Sequence, residues 1–414
     1  MKNNNLRLIY TAALAAGLAT GASAQDIKVG HLTYHTGEYG AWGAFFDGVA
    51  DMSLDIINQD PPLGRRMVAI HQDIGTTGEA MAARKLVDSD GVEILLNPAH
   101  SYMSYREFIL ESIAETGHPL LPSVHGGAVE REFGGQPEEP LFRGSPMDTA
   151  LATATLLHVQ AAGKTNVVIL ATEVAGSQMQ TAWAQELAVE MGIEVLGAFD
   201  IQPGQPNYRS IVSRVAALEP QAVIIFSAPA DGGAIVKNAA EAGASWFVVG
   251  TSEWQETEFA DTATAGAINQ HEGVVFVAFA PVEGPAWDYY EPIAAASPQA
   301  EVIGDVSNSY AIQYYDLLVA TALAIEAAGS TDATAWTEAM FNVTSGEGEL
   351  VYSYAEGIAA LRAGRDINYE GVTGSMDYSP NGVVPGLFGV FAWTEGLLER
   401  VGSVDGDEVM VLEN

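Results

Sequence analysis

Cysteine is absent from the 414-residue chain. That excludes disulfide bonds, thiolate nucleophiles, thiolate metal sites and a lipid-bearing N-terminal cysteine. Basic residues are scarce: 17 Lys and Arg stand against 53 Asp and Glu, a formal charge of −36. A field of that sign opposes nucleic acid and anionic membrane surfaces. It reads as an acidic, solvated surface suited to a saline habitat, with steering of a basic partner as the alternative. The loops GxGxxG and GxxxxGK[ST] are missing, so nothing signals a pyrophosphate cradle. HExxH and G-x-S-x-G are missing as well, which points away from an enzyme. Low-complexity linkers are also lacking.

Long apolar runs are nearly absent. One, from Leu8 to about Leu18, follows Lys2 and Arg7 and precedes Ala22-Ser23-Ala24. This is the pattern of a secretion signal over residues 1–24, cleaved after about Ala24. The run is too short and too glycine-broken to be a good membrane span. These 24 residues hold two of the basic residues and no acid, so the exported chain is more acidic still. No later stretch reaches spanning length without charges or turn residues, so direct membrane insertion is not expected. The reading is an exported periplasmic protein.

What is present is a 48% hydrophobic composition, enough for large cores in two or three domains. The stretch Asp26 to Gly48 organises the rest. Ile27, Val29 and the residues to Thr33 read as a buried strand; Gly37, Gly40 and Gly43 let backbone approach a ligand; from Ala44 the residues Phe45, Val49, Met52 and Ile56 fall at helical spacing. In an open parallel sheet such a loop lies at the carboxyl ends of the strands, where ligands bind. Strands are then predicted at Met67–Ile70, Val92–Leu96 and Pro119–Leu121, with helices at Thr77–Asp88 and Tyr105–Thr116. Around Phe142–Pro146 the pattern restarts. Strands at Val167–Ala171, Val195–Phe199, Ala222–Phe226 and Trp246–Val249 alternate with helices in a second α/β unit of similar size. Gly273–Ala280 is a further strand and Tyr310–Ala328 a long alanine-rich helix. Gly371–Asp377, the turn Ser379-Pro380-Asn381-Gly382 and Gly389–Trp393 read as a hairpin.

Several segments in this order carry a resemblance. They are Ile27-Lys28-Val29-Gly30 with Thr36-Gly37 and Gly43, then Ala82-Ala83-Arg84-Lys85-Leu86-Val87. Phe142-Arg143-Gly144-Ser145-Pro146-Met147-Asp148 and Tyr369-Glu370-Gly371-Val372-Thr373-Gly374 follow, and Tyr378-Ser379-Pro380-Asn381-Gly382 closes the set. Over nearly all of the exported chain the sequence resembles type I periplasmic solute-binding proteins, in particular the branched-chain amino acid and amide-binding members of ATP-driven uptake systems. The resemblance implies an α/β fold of two doubly wound lobes with a ligand cleft between them, joined by three crossings. Lobe one is expected from residues 26–145 plus about 281–345, and lobe two from 146–280 plus about 346–414.

The resemblance also implies site positions. Trp42 falls where relatives pack an aromatic ring on the ligand; the alternative is a packing or surface tryptophan. In Asn97-Pro98-Ala99-His100-Ser101-Tyr102-Met103-Ser104, Ser101 and its neighbour His100 fall where relatives hold a carboxylate; the alternative is helix capping by Ser101 or Ser104. Ser123-Val124-His125 matches a segment that meets ligand ammonium and carboxylate, with His125 replacing the usual hydroxyl. Ala175, before Gly176, and Ala228 stand at two positions where relatives carry tyrosine, so a wider pocket than a leucine site is expected. Glu253 is the match for an acidic residue facing a ligand ammonium, with Ser252 beside it; the alternative is a solvated loop carboxylate.

His35, His100 and His125 fall on loops at strand ends. They could bind a transition metal, donate to a ligand carboxylate, or be unrelated polar residues. His31 and His71 sit inside strands and read as satisfied core histidines. The resulting expectation is a monomeric binding protein without metal or cofactor. It captures an amino acid, amide or related carboxylate by lobe closure and delivers it to an inner-membrane ABC permease. A ligand-sensing regulator on the same fold is the alternative, and a secreted hydrolase a third reading.

Overall fold

The computed structural model describes residues 25–37, 40–98, 101–124 and 133–413. The first sheet contains β1 (Ile27–Thr33), β2 (Met67–Asp73) and β3 (Ile94–Leu96) in the order β2-β1-β3, all parallel. A bridge between Ile94 and Leu120 carries it on to β4 (Leu121–Ser123), which pairs in parallel with β5 (Leu141–Arg143). Helix α1 (Gly43–Ile57) packs on this sheet through Phe46, Val49 and Met52, all buried. The loop before it needs its glycine: a Cβ on Gly43 would lie 2.0 Å from the Tyr34 carbonyl oxygen.

The second sheet is larger. It takes β6 (Asn166–Thr172), β7 (Glu194–Ile201), β8 (Ala222–Phe226), β9 (Phe247–Gly250) and β10 (Gly273–Phe279) in the order β10-β9-β8-β6-β7, all parallel. Every residue of β8 is buried, as a continuous apolar run with helices on both faces requires. Two short pieces, β11 (Glu349–Val351) and β13 (Gly374–Ser375), flank β12 (Ile367–Gly371) in a small third sheet. The antiparallel strands β14 (Phe388–Thr394) and β15 (Leu397–Val404) then extend the second sheet past β10.

The predicted hairpin is therefore displaced. Its true turn is Glu395-Gly396, both at positive φ (53° and 83°), between β14 and β15. The Asn381-Gly382 pair, a strong hairpin signal by itself, serves a close chain approach instead. Gly382 has φ +68°, its carbonyl accepts from Arg143 N at 2.7 Å, and a Cβ there would meet the Leu141 oxygen at 2.5 Å.

The cores divide the chain differently from the expected boundary. Buried Val351, Tyr354, Ile358, Tyr369, Met376 and Val384 pack in the same cluster as Ile27, Leu95 and Phe142. Residues to about 384 thus belong with the first sheet, and the expected assignment of 346–384 to lobe two is corrected. The second sheet is covered by one cluster on each face, and these draw on Phe388, Val390, Trp393 and Val404. The local pattern of this C-terminal stretch shows amphipathicity without showing which core it faces.

The chain passes from one core to the other three times, between Phe142 and Ala150, between Ala278 and Ala286, and between Val384 and Phe388. The helix Ser309–Ala328 is long and apolar enough to cross a membrane by length and composition, but most of it is buried in the first core.

Candidate functional site

A cavity of about 440 Å³ lies between the two cores, lined by residues from both. On the first-core side its wall is aromatic: Tyr34, Trp42, Phe46 and Tyr310. Trp42 stacks on Phe46 at 5.5 Å between ring centroids, and Tyr310 meets both rings edge-on at 5.7 and 5.5 Å. Phe46 in turn stacks on buried Tyr314 at 6.0 Å, so the wall is anchored from behind. Offset and edge-on geometries of this kind favour each pair beyond the area it buries.

On the other side the lining comes from the carboxyl ends of parallel strands. Thr172 ends β6, Ser227 and Ala228 follow β8, and Thr251 and Glu253 follow β9. Asp148, the first residue of the helix Asp148–Ala161, and Asp231 add two more carboxylates. Asp231 is already committed: it accepts from Tyr208 Oη at 2.6 Å and from Gly204 N at 2.9 Å. Asp148 lies in the field of buried Arg143, whose guanidinium is pushed down to about 10 by burial against the opposing pull of Asp148 and Glu139.

Glu253 differs from both. Among the described residues no cation pairs with it; its carboxylate is held by its own backbone amide and by a long bond from Ser252 Oγ at 3.4 Å. It keeps some exposure, toward the cavity, yet the surrounding protein strips most of its water. That desolvation, reinforced by the Asp148 charge, pushes its carboxyl up to about 7. Its position is fixed by Trp254, whose ring lies flat on Phe259 at 4.2 Å and whose Nε1 donates to Ser227 O at 3.1 Å. Gly250 and Gly232 clear the space: a Cβ on either would come within 2.2 and 2.4 Å of the indole.

A profile of the periplasmic binding protein family matches residues 26–377. The chain belongs to that family. It is a family of binding proteins and not of enzymes. Solved structures share the type I fold at low identity. A leucine-binding protein from Thermotoga maritima superposes with TM-score 0.72 at 17% identity, over 92% of this chain and 99% of its own. A branched-chain amino acid transporter substrate-binding protein from Streptococcus pneumoniae, in complex with isoleucine, gives TM-score 0.69 at 17% identity, over 92% and 99%. An R. palustris transporter solute-binding protein in complex with benzoate gives 0.67 at 16%, over 91% and 96%. No match was found among curated protein sequences.

Of the site residues read from the sequence of this periplasmic binding protein, Trp42, Ala228 and Glu253 border the cavity together. Ala175 opens the helix Ala175–Glu190, and its neighbours Gly176 and Ser177 border the cavity. Ser101, Ser123 and Val124 do not. The Ser101 amide donates to Glu79 Oε2 at 2.9 Å, Ser123 Oγ to Pro98 O at 2.8 Å, and the Val124 amide to Asn97 Oδ1 at 3.0 Å. These bonds brace the loops after β3 and β4. The Ser104 hydroxyl turns back onto the Ser101 carbonyl at 2.7 Å, so no side chain caps the helix that follows. His100 and His125 lie outside the described residues. His35 turns its Nε2 onto Asp47 Oδ2 at 2.6 Å.

Tyr34, Phe46, Tyr310, Asp148, Thr172, Ser227 and Thr251 were not singled out from sequence. Six of them were within reach. Tyr34, Thr172, Ser227 and Thr251 stand at or just after strand ends, Asp148 closes a motif already quoted, and Phe46 follows a chosen helical position. Tyr310 was not, since nothing local ties it to Trp42.

Proposed function

We propose that the protein is the solute-binding component of an ATP-driven uptake transporter, and that its cleft takes an amino acid or related organic amine. The carrying observation is Glu253, a desolvated carboxylate without a cation partner among the described residues, across the cavity from an aromatic wall. A buried carboxylate stripped of water calls for a cation. A protonated amine supplies it, and the aromatic wall takes the apolar side of the same molecule, with attraction between ring faces and the ammonium. The three crossings allow the two lobes to close on the solute by a hinge, and an inner-membrane permease then receives the closed form. The leader-like first 24 residues support export to the periplasm. The isoleucine-bound neighbour fits this reading better than the benzoate-bound one, because a lone carboxylate would face Glu253 and Asp148.

The test is mass spectrometry of small molecules released from gently denatured protein, followed by calorimetric titration. An amine-bearing solute is expected, with Glu253→Gln binding it roughly ten- to hundredfold more weakly through loss of a charge-assisted bond. Tightest binding by a carboxylate without an amine would overturn the assignment.

A further inference from the structure

Behind the aromatic wall, three polar side chains from β1, β2 and α1 converge away from the cavity. His31 Nδ1 and His71 Nδ1 are 2.8 Å apart. Asp47 Oδ1 lies 3.6 Å from the first and 3.2 Å from the second. His31 is fully buried, and Asp47 Oδ1 is itself buried with no hydrogen bond among the described residues.

The outer partners decide what these atoms are. His71 Nε2 lies 3.1 Å from Asp51 Oδ1, and a carboxylate only accepts, so Nε2 carries the hydrogen. His31 Nε2 lies 2.9 Å from Tyr314 Oη, and that oxygen accepts from the Asn97 amide. Asn97 is oriented by its own Oδ1, which accepts from Val124 N at 3.0 Å, and so presents Nδ2, which also lies 3.3 Å from His31 Nε2. The Tyr314 hydroxyl then has its own hydrogen to give to His31 Nε2, so without an ion His31 carries its hydrogen on Nδ1 and shares it with His71 Nδ1. That arrangement leaves Asp47 Oδ1 buried and unsatisfied, 3.2 Å from His71 Nδ1. A metal ion that displaces the shared hydrogen, with the His31 hydrogen moved to Nε2 and accepted by Tyr314, satisfies all three atoms at once.

We infer that His31, His71 and Asp47 form a binding site for a divalent transition-metal cation of the zinc type. Two imidazoles and one carboxylate suit borderline-soft first-row ions, with a water completing a tetrahedron. Zn–N bonds of about 2.0–2.1 Å set tetrahedral N···N distances near 3.3 Å, so the imidazole pair opens by roughly half an ångström around the ion. Each ligand has its second atom held from outside: His31 by Tyr314, His71 by Asp51, and Asp47 Oδ2 by His35 Nε2 at 2.6 Å. Such outer bonds fix ring orientation and tautomer in metal centres. Partial exposure of His71 and Asp47 gives the ion a way in. The site does not touch the solute. It ties α1, which carries Trp42 and Phe46 at its start, to the first sheet.

The purified chain, dialysed against Zn2+ and then against metal-free buffer, tests this by elemental analysis, with Co2+ substitution as a spectroscopic probe. One Zn2+ per chain is expected, with the intense visible absorption of tetrahedral Co2+. Asp47→Asn and His71→Ala should each abolish both signals. Their folding is checked by circular dichroism, and neither requires truncating the fully buried His31. His35→Ala should keep the stoichiometry and weaken Zn2+ roughly ten- to hundredfold, as loss of an outer bond does. A chain that stays free of metal in Zn2+ excess, its imidazoles bridged by a proton alone, would overturn the proposal. So would retention of Zn2+ by both Asp47→Asn and His71→Ala.

Discussion

At the scale of single residues, Glu253 makes the solute's charge measurable. Its carboxyl is raised from an ordinary 4.5 to about 7 by desolvation, with Asp148 adding to it. The folded state therefore holds a proton over a range where the unfolded chain has released it. By linkage this contribution to stability is present below about 4.5 and lost as pH rises through about 7. Solute affinity runs the opposite way if the solute brings an ammonium, because the amine needs the ionised carboxylate. Calorimetry between pH 5 and 8 should show affinity climbing up to about tenfold per unit below pH 7 and levelling above it. Glu253→Gln should flatten that profile, and an affinity that falls with pH would assign a neutral or anionic solute. Trp42 supports a second prediction. It is half-buried at the mouth of α1 with one face on Phe46, so Trp42→Ala should cost about 1–3 kcal/mol of binding and little folding stability. Titration calorimetry beside urea denaturation separates the two effects, and unchanged affinity would remove Trp42 from the site.

At the scale of elements, the segment after β9 is a rigid mount for its carboxylate. Trp254 fits over Gly250 and Gly232, and the Trp393 Nε1 donates to its carbonyl at 2.7 Å. Gly250→Ala drives a methyl into the indole, so a loss of about 1–3 kcal/mol is expected from overpacking. Solute affinity should fall as well, because Glu253 moves with its neighbour. Thermal unfolding with and without solute would show whether the two losses travel together. The strands around this mount were legible in the sequence because β6, β8 and β10 are continuous Val, Ile, Leu and Phe runs with one physical meaning, burial on both faces. The site was legible only where it borders such strands. Trp42 and Glu253 follow strands closely, whereas Tyr310 reaches Trp42 from the far end of the chain. His31 and His71 read as core residues because alternation shows a side chain's face and not its partner. Their meeting depends on the β1–β2 register, which places them directly opposite. The helices Pro285–Ala295 and Ala333–Thr344 were missed because they are short, alanine-rich pieces between stronger signals.

At the scale of the whole molecule, the crossings meet one another. Gly386 has φ +69°, and a Cβ there would lie 2.6 Å from Pro146 Cγ, so two of the three crossings are in contact. Gly386→Ala combines a left-handed backbone penalty with overpacking, on the order of 2–4 kcal/mol in total. It should lower the urea midpoint and, with closure as proposed, blunt the compaction that small-angle scattering is expected to record on solute addition; a normal value of both would show that this contact takes no part in closure. The division of the cores bears on a different event, the assembly of the chain. The first core is shared between residues up to Phe142 and residues from Ala286 to Val384, so it stays unfinished while the second sheet's five parallel strands are already in hand. Long sequence separation slows closure. Refolding should therefore proceed from the middle outward: pulse-labelled hydrogen exchange should protect β6, β8 and β9 before β1 and β3. A chain built this way emerges with the residues up to Phe142 waiting for a late return, a window in which an acidic, mutually repelling surface keeps unfinished copies apart.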